Sequence, residues 1–166
     1  MTFRSLITTV VLCIISGIAR ADYETAVLAY ESGQYDIALE EFSLLSERGD
    51  SRAEFMLGAM YFQGKGVLQN DSFAAIWFHK SAIQGHSGAQ LAYGSFHIRG
   101  VGVTQDLVRA YMWLTLASNS DLPNIRQQAM QILNDTAALR SPEQIGNARA
   151  EAMEWEAIPA RLWINR

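Results

Sequence analysis

Ala53-Glu54-Phe55-Met56-Leu57-Gly58-Ala59-Met60-Tyr61 returns 36 residues later as Ala89-Gln90-Leu91-Ala92-Tyr93-Gly94-Ser95-Phe96-His97. The same offset joins Gly64 to Gly100, Gly66 to Gly102, Val67 to Val103, Ala74 to Ala110 and Trp77 to Trp113, with Gly49 and Gly85 at the repeat ends. A fixed period of this length marks a stack of like supersecondary units, each unable to bury its apolar face alone.

Within one unit the apolar spacing is helical, first at Ala53, Leu57 and Tyr61 and then at Ala74, Trp77, Phe78 and Ser81. No run of alternating β-branched residues argues for strands after the N-terminal segment. Gly64-Lys65-Gly66-Val67 separates the two helices, its glycines free to take positive φ and Val67 able to tuck under the turn. Asn70 and Asp106, one period apart, suit the N-cap of the second helix. Gly58 and Gly94 fall inside helices, where glycine costs about 1 kcal/mol relative to alanine. Close helix–helix approach, at about 8–10 Å between axes, is the reason to expect them there.

The array extends in both directions. Ala38, Phe42 and Gly49 match Ala74, Phe78 and Gly85 at 36, while Tyr30 and Gly33 match Tyr61 and Gly64 at only 31. The first unit is thus shorter, and Gly33-Gln34-Tyr35-Asp36-Ile37-Ala38 reads as the turn of a plain helical hairpin. Downstream, Asp121-Leu122-Pro123 opens a helix expected to reach about Leu139. Ser141-Pro142-Glu143-Gln144 opens another, with Ser141 at the N-cap, Pro142 in the first turn and Gln144 closing a capping box. That helix should run to about Trp155 and stop before Pro159. A solenoid needs polar-faced ends, and these two helices fit one. The expected fold is all-α: a right-handed α/α solenoid of about three helical hairpins over residues 22–121, closed by a C-terminal helical cap over 122–166.

Residues 1–21 read differently. Arg4 precedes an apolar run from Leu6 to Ile18, and Ala19-Arg20-Ala21 supplies a small-x-small cleavage pattern, the layout of a secretory signal peptide. The run is short of the roughly 20 residues that span a bilayer, so no stable membrane insertion is expected after cleavage. Cleavage takes Arg4 and Arg20 from the 13 basic side chains and none of the 17 acidic ones, so a formal charge of −4 becomes 11 − 17 = −6. With the remaining cations scattered, nucleic acid is not an expected partner. Cys13, the single cysteine, lies in the apolar run. The mature chain can form no disulfide, although an exported location would permit one.

Side chains that could carry chemistry have plainer roles. Gly64-Lys65-Gly66 lacks the ending and the preceding strand of a phosphate loop. His79, His86 and His97 show no metal-ligand spacing, and His97 occupies a packing position that suits a neutral imidazole. Glu40-Glu41 and Glu154/Glu156 belong to solvated helix faces. Trp77, Trp113, Tyr61 and Phe78 recur at the period and are expected in the core. No catalytic residue, metal site or cofactor is expected.

Ala53, Leu57-Gly58, Tyr61, Gly64-Lys65-Gly66-Val67, Ala74, Trp77-Phe78, Lys80 and the closing Gly85 resemble the motif of the Sel-one-like repeat family, a solenoid relative of the tetratricopeptide repeat. The resemblance extends through Ala110-Tyr111-Met112-Trp113-Leu114 to the C-terminal Ser141-Pro142-Glu143-Gln144-Ile145. The second full repeat departs from it, with Tyr93 for leucine, His97 for tyrosine and no closing glycine. Members with a disulfide in each repeat, some linked to β-lactam chemistry, are a poor match to a chain without mature cysteines. The resemblance implies a protein–protein interaction module whose concave groove would be lined by Arg52, Phe55, Ala59, Phe62, Gln63, Leu91, Ser95, Ile98 and Arg99. Phe55, Ala59 and Phe62 stand at i, i+4 and i+7, one helix face, and apolar groups there suit a helix or an extended peptide. The expected role is a periplasmic or secreted envelope adaptor or regulator. The alternatives are an immunity-type inhibitor of a periplasm-delivered toxin and, third, a cell-wall-related hydrolase. The residues specify neither the partner nor an oligomeric state.

Overall fold

The computed structural model describes residues 22–138 and 140–156. The signal-peptide segment, Leu139 and Pro159 lie outside the described residues. Among the described residues the chain forms α1 (Tyr23–Glu31), α2 (Tyr35–Glu47), α3 (Ser51–Gln63), α4 (Asp71–Ile83), α5 (Ser87–Arg99), α6 (Leu107–Ser118), α7 (Pro123–Ala138) and α8 (Pro142–Glu156), with no strand. Each helix from α1 to α6 packs on the next, α7 also touches α5, and α8 returns to pack on α6. Three hairpins are therefore stacked in chain order, with α7 and α8 laid against the third.

The period is visible in the hydrogen bonds. Asn70 caps α4 by accepting from the Phe73 N–H at 3.0 Å, and Asp106 caps α6 from the Arg109 N–H at 3.0 Å. The helices before them end alike, on Gly64 at φ 66° and Gly100 at φ 66°, left-handed positions that favour glycine. The Tyr61 carbonyl accepts from the Asn70 N–H at 2.9 Å, and the His97 carbonyl from the Asp106 N–H at 3.0 Å. In the first hairpin only residues 32–34 separate α1 from α2, so that loop is absent there. Ser141 and Gln144 form the reciprocal capping box, each side-chain oxygen accepting from the other's backbone N–H at 3.2 Å.

The core lies in the seams between helices, built from small residues that let backbones approach and large ones that fill what is left. Ala26, Ala38, Phe42, Ala53, Leu57 and Met60 bury the first seam. Ala74, Phe78, Ala89, Phe96, Tyr111 and Trp113 bury the second, joined by Ile145 and Ala148 of α8. A fully buried large side chain in such a seam contributes about 1.5–3 kcal/mol. Trp113 and Phe78 meet the core expectation at 2% and 4% exposed. Trp77 and Tyr61 meet it only in part: both are half-buried at a seam edge. The Trp113 ring is enclosed by His79 of α4 and Tyr93 of α5, with ring centres 5.9 and 5.6 Å away, whereas the Trp77 ring carries the Lys80 ammonium 4.4 Å from its centre. A cation over an indole face keeps that face near water.

Successive units are also locked backbone to backbone. A Cβ on Gly66 would lie 2.9 Å from the Tyr35 carbonyl oxygen, and one on Gly102 would overlap the Asp71 carbonyl. Each loop thus sits on the first turn of the second helix of the preceding hairpin.

Candidate functional site

The predicted groove residues fall on α3 and α5, the first helices of the second and third hairpins. These two helices lie side by side, for the Phe62 and Phe96 rings are 5.3 Å apart. Phe55, Ala59 and Phe62 are half-buried and lean on the second core cluster. Phe55 touches Phe78 with ring centres 5.6 Å apart and stacks on His86 at 4.7 Å. Leu91, Ser95 and Ile98 are half-buried on α5. The Ser95 hydroxyl donates to the Leu91 carbonyl at 2.7 Å, so its polarity is turned onto its own helix. The Ile98 carbonyl accepts from the Gln105 amide at 2.7 Å. Phe55, Ala59 and Phe62 of α3 and Leu91 and Ile98 of α5 are thus apolar side chains on two neighbouring helices, each partly open to solvent.

Polar residues stand at the ends of this α3–α5 strip. Arg52 is exposed, grips Asp50 at 2.6 Å and lies 4.2 Å from the Tyr23 ring centre. That side-chain bond to Arg52, more than any other influence, holds the Asp50 carboxyl below its ordinary range. Gln63 is exposed, and its carbonyl oxygen accepts from the Tyr30 hydroxyl at 3.1 Å. Arg99 is exposed at the end of α5. Arg52 and Gln63 therefore tie the strip to the first hairpin, while Arg99 faces solvent.

Several residues near the strip carry no sequence motif. His86 caps α5, its Nδ1 accepting from the Ala89 N–H at 3.1 Å. It stands one period after Asp50, the N-cap of α3, so alignment of the repeats was the signal that could have found it. Lys65 donates to the Tyr30 hydroxyl at 3.0 Å with its ammonium 4.6 Å from that ring's centre. Glu54 is buried and accepts from the Gln84 amide at 2.5 Å. Burial pushes its carboxyl up, against a smaller opposing pull from Lys80. Burial likewise holds His79, His86 and His97 below the ordinary imidazole range. Among the described residues no three His, Cys, Asp or Glu side chains gather as a metal site would require. No helix among them is long and apolar enough to cross a membrane.

Comparison with known proteins places this geometry in context. The Sel1 repeat model matches residues 51–86 and 87–122, two consecutive units in the register read from the sequence. A solved structure of c5321, a protective antigen present in uropathogenic Escherichia coli strains and displaying an SLR fold, is 29% identical with a TM-score of 0.70. The match covers 82% of this chain and 29% of that one. A Sel1 repeat protein from Oxalobacter formigenes is 22% identical with a TM-score of 0.61, over 78% of this chain and 52% of that one. The chain thus spans under a third of the first relative and about half of the second. No curated protein matches it.

Proposed function

As a protein whose residues 51–122 are two Sel1 repeats, and so a repeat scaffold of a kind that binds other proteins, we propose that it is an exported interaction module holding a protein partner along the α3–α5 strip. The observation that carries this reading is the half-open apolar face of Phe55, Ala59, Phe62, Leu91 and Ile98. These side chains recur on equivalent helices and are only partly consumed by the core. Repeat scaffolds use such surfaces for elongated ligands, and an amphipathic helix or an extended segment fits a two-helix strip.

Export rests on Arg4, the apolar run Leu6–Ile18 and Ala19-Arg20-Ala21. The role proposed is adaptor or regulator in the cell envelope, and it is non-catalytic. Cleavage after Ala21 predicts a mature chain beginning at Asp22, which N-terminal sequencing of protein from the envelope fraction reads directly.

The binding test uses Phe55→Glu with Ile98→Glu. Both side chains are part-exposed, so the helices should persist by circular dichroism while crosslinked capture of the partner from envelope extract is lost. Capture that survives in the folded double variant rules the strip out.

A further inference from the structure

At both ends of its first helix the second full repeat places a histidine where the first has another residue. Where α3 is capped by Asp50, α5 is capped by His86. Where the first repeat has Tyr61, the second has His97. Both histidines are held in ways that require them to be neutral. His86 accepts the Ala89 N–H through Nδ1 at 3.1 Å, and that nitrogen can accept only while it carries no proton. Its ring is wedged between Phe55, with ring centres 4.7 Å apart, and Gly88, where a Cβ would lie 3.2 Å from Cε1. Protonation would remove the cap and set a positive charge at the positive end of a helix dipole.

His97 is 2% exposed. Its Nδ1 lies 3.2 Å from the Thr104 carbonyl oxygen, which can only accept, so Nδ1 carries the proton. Nε2 is buried and has no hydrogen-bond partner among the described residues. A second proton there would place a charged N–H in an apolar seam with no acceptor. The Tyr93 ring meets the imidazole edge-on at 4.7 Å, and His79 of α4 lies beyond it, 5.0 Å from Tyr93.

The charged groups facing these rings do not offset that cost. At His86, α3 and its cap bring Asp50, already gripped by Arg52, and Arg52 itself. At His97, α6 and its cap bring Asp106 and Arg109, a pair 3.4 Å apart, and α4 brings His79. No charged group of α7 acts on either ring.

We infer that the second repeat is an acid-sensitive element: protonation of His86 and His97 loosens α5 and its loop while the first repeat, capped by Asp50, stays closed. Since α5 carries Leu91, Ile98 and Arg99, mild acid would release whatever the strip holds, a consequence that rests on the function proposed above. The loosening itself does not, so the two can fail separately.

The test is amide hydrogen exchange on the free mature chain at pH 7.5 and pH 5.0, corrected for intrinsic exchange rates. Amides of residues 87–106 should lose about tenfold or more in protection at the lower pH, whereas residues 51–70 change less than about twofold. His86→Asp with His97→Tyr installs the first repeat's own residues and should abolish the difference. If the tyrosine does not fold, His97→Gln keeps a neutral donor for Thr104 in its place. Equal protection of the second repeat at both pH values in the wild-type chain overturns the inference, as does a pH effect that survives the paired replacement. If exchange behaves as expected but a captured partner stays bound at pH 5.0, the switch stands and the assignment of the strip falls.

Discussion

Gly94 lies so close to Leu114 that a Cβ on the glycine would stand 2.8 Å from the leucine Cγ, and one period earlier Gly58 stands in the same relation to Phe78 at 2.6 Å. At this separation a Cβ at either position would have to displace the facing side chain or the helix that carries it. Gly94→Ala should gain about 1 kcal/mol in helix propensity. It must then push apart α5 and α6, an overpacking cost of about 1–3 kcal/mol. The net prediction for Gly58→Ala and Gly94→Ala is lower stability in urea denaturation. Gly146 of α8 meets nothing within 4 Å, so Gly146→Ala should raise stability by up to about 1 kcal/mol. Gains at all three positions would refute close packing as the reason for the repeat glycines.

The loop glycines separate in the same way. Gly102 has φ 65° and rests on the Asp71 backbone, whereas Gly85 has φ 90° with nothing within 4 Å. Gly85→Asn should cost only a few tenths of a kcal/mol, since asparagine tolerates the left-handed region. Gly102→Asn faces a backbone clash as well and should cost at least about 2 kcal/mol more. Thermal melts of the two variants check the contrast.

Trp113 and Trp77 share a repeat position but not an environment. Trp113→Ala should cost about 3–5 kcal/mol, enough to unfold an array of marginal stability. Trp77→Ala, at a seam edge under Lys80, should cost less than half of that. Equal losses in matched denaturation curves would contradict the difference in burial between the two indoles.

Glu54 and the histidines oppose one another with pH. The Glu54 carboxyl is raised, so its contribution to stability is full below the unfolded value near 4.5 and is lost as pH rises through its folded value. Glu54→Gln keeps an acceptor for Gln84, removes the buried charge and copies Gln90 of the second repeat. It should raise the melting temperature at pH 7, by an amount set by about 0.5–1.5 kcal/mol. For His86 and His97 the folded values are depressed. Stability is then unaffected well above the unfolded value near 6.5 and falls as pH drops through it toward the folded values. In the Glu54→Gln background, where that opposing contribution is gone, a melting temperature that does not fall between pH 7.5 and pH 5.0 would contradict buried neutral imidazoles.

The repeat period carried most of the fold because each unit spells out its own helices, caps and loop. Asn70, Asp106, Ser141 and Gln144 act where their spacing put them, and the short first loop follows from the 31-residue offset. The neighbours of the strip were less legible. That Trp77 would be half-open while Trp113 is buried against His79 and Tyr93 depends on side chains of other helices, which no local pattern encodes. Tyr23 beneath Arg52 and Tyr30 on Gln63 are contacts between hairpins, invisible to a reading of one helix face. His86 was within reach, since it stands where Asp50 predicts a cap, but a histidine at an N-cap is unusual enough to pass as a surface residue.

The claim that a protein partner lies along α3 and α5 is tested most directly by a photo-crosslinking amino acid placed singly at Ile98 and Gln63 on the strip and at Ile76 and Leu44 on exposed positions of α4 and α2. Irradiation of intact cells should give the same crosslinked species, identified by mass spectrometry, from Ile98 and Gln63 and none from Ile76 or Leu44. The same adduct from the α4 and α2 positions, with none from the strip, would contradict the account.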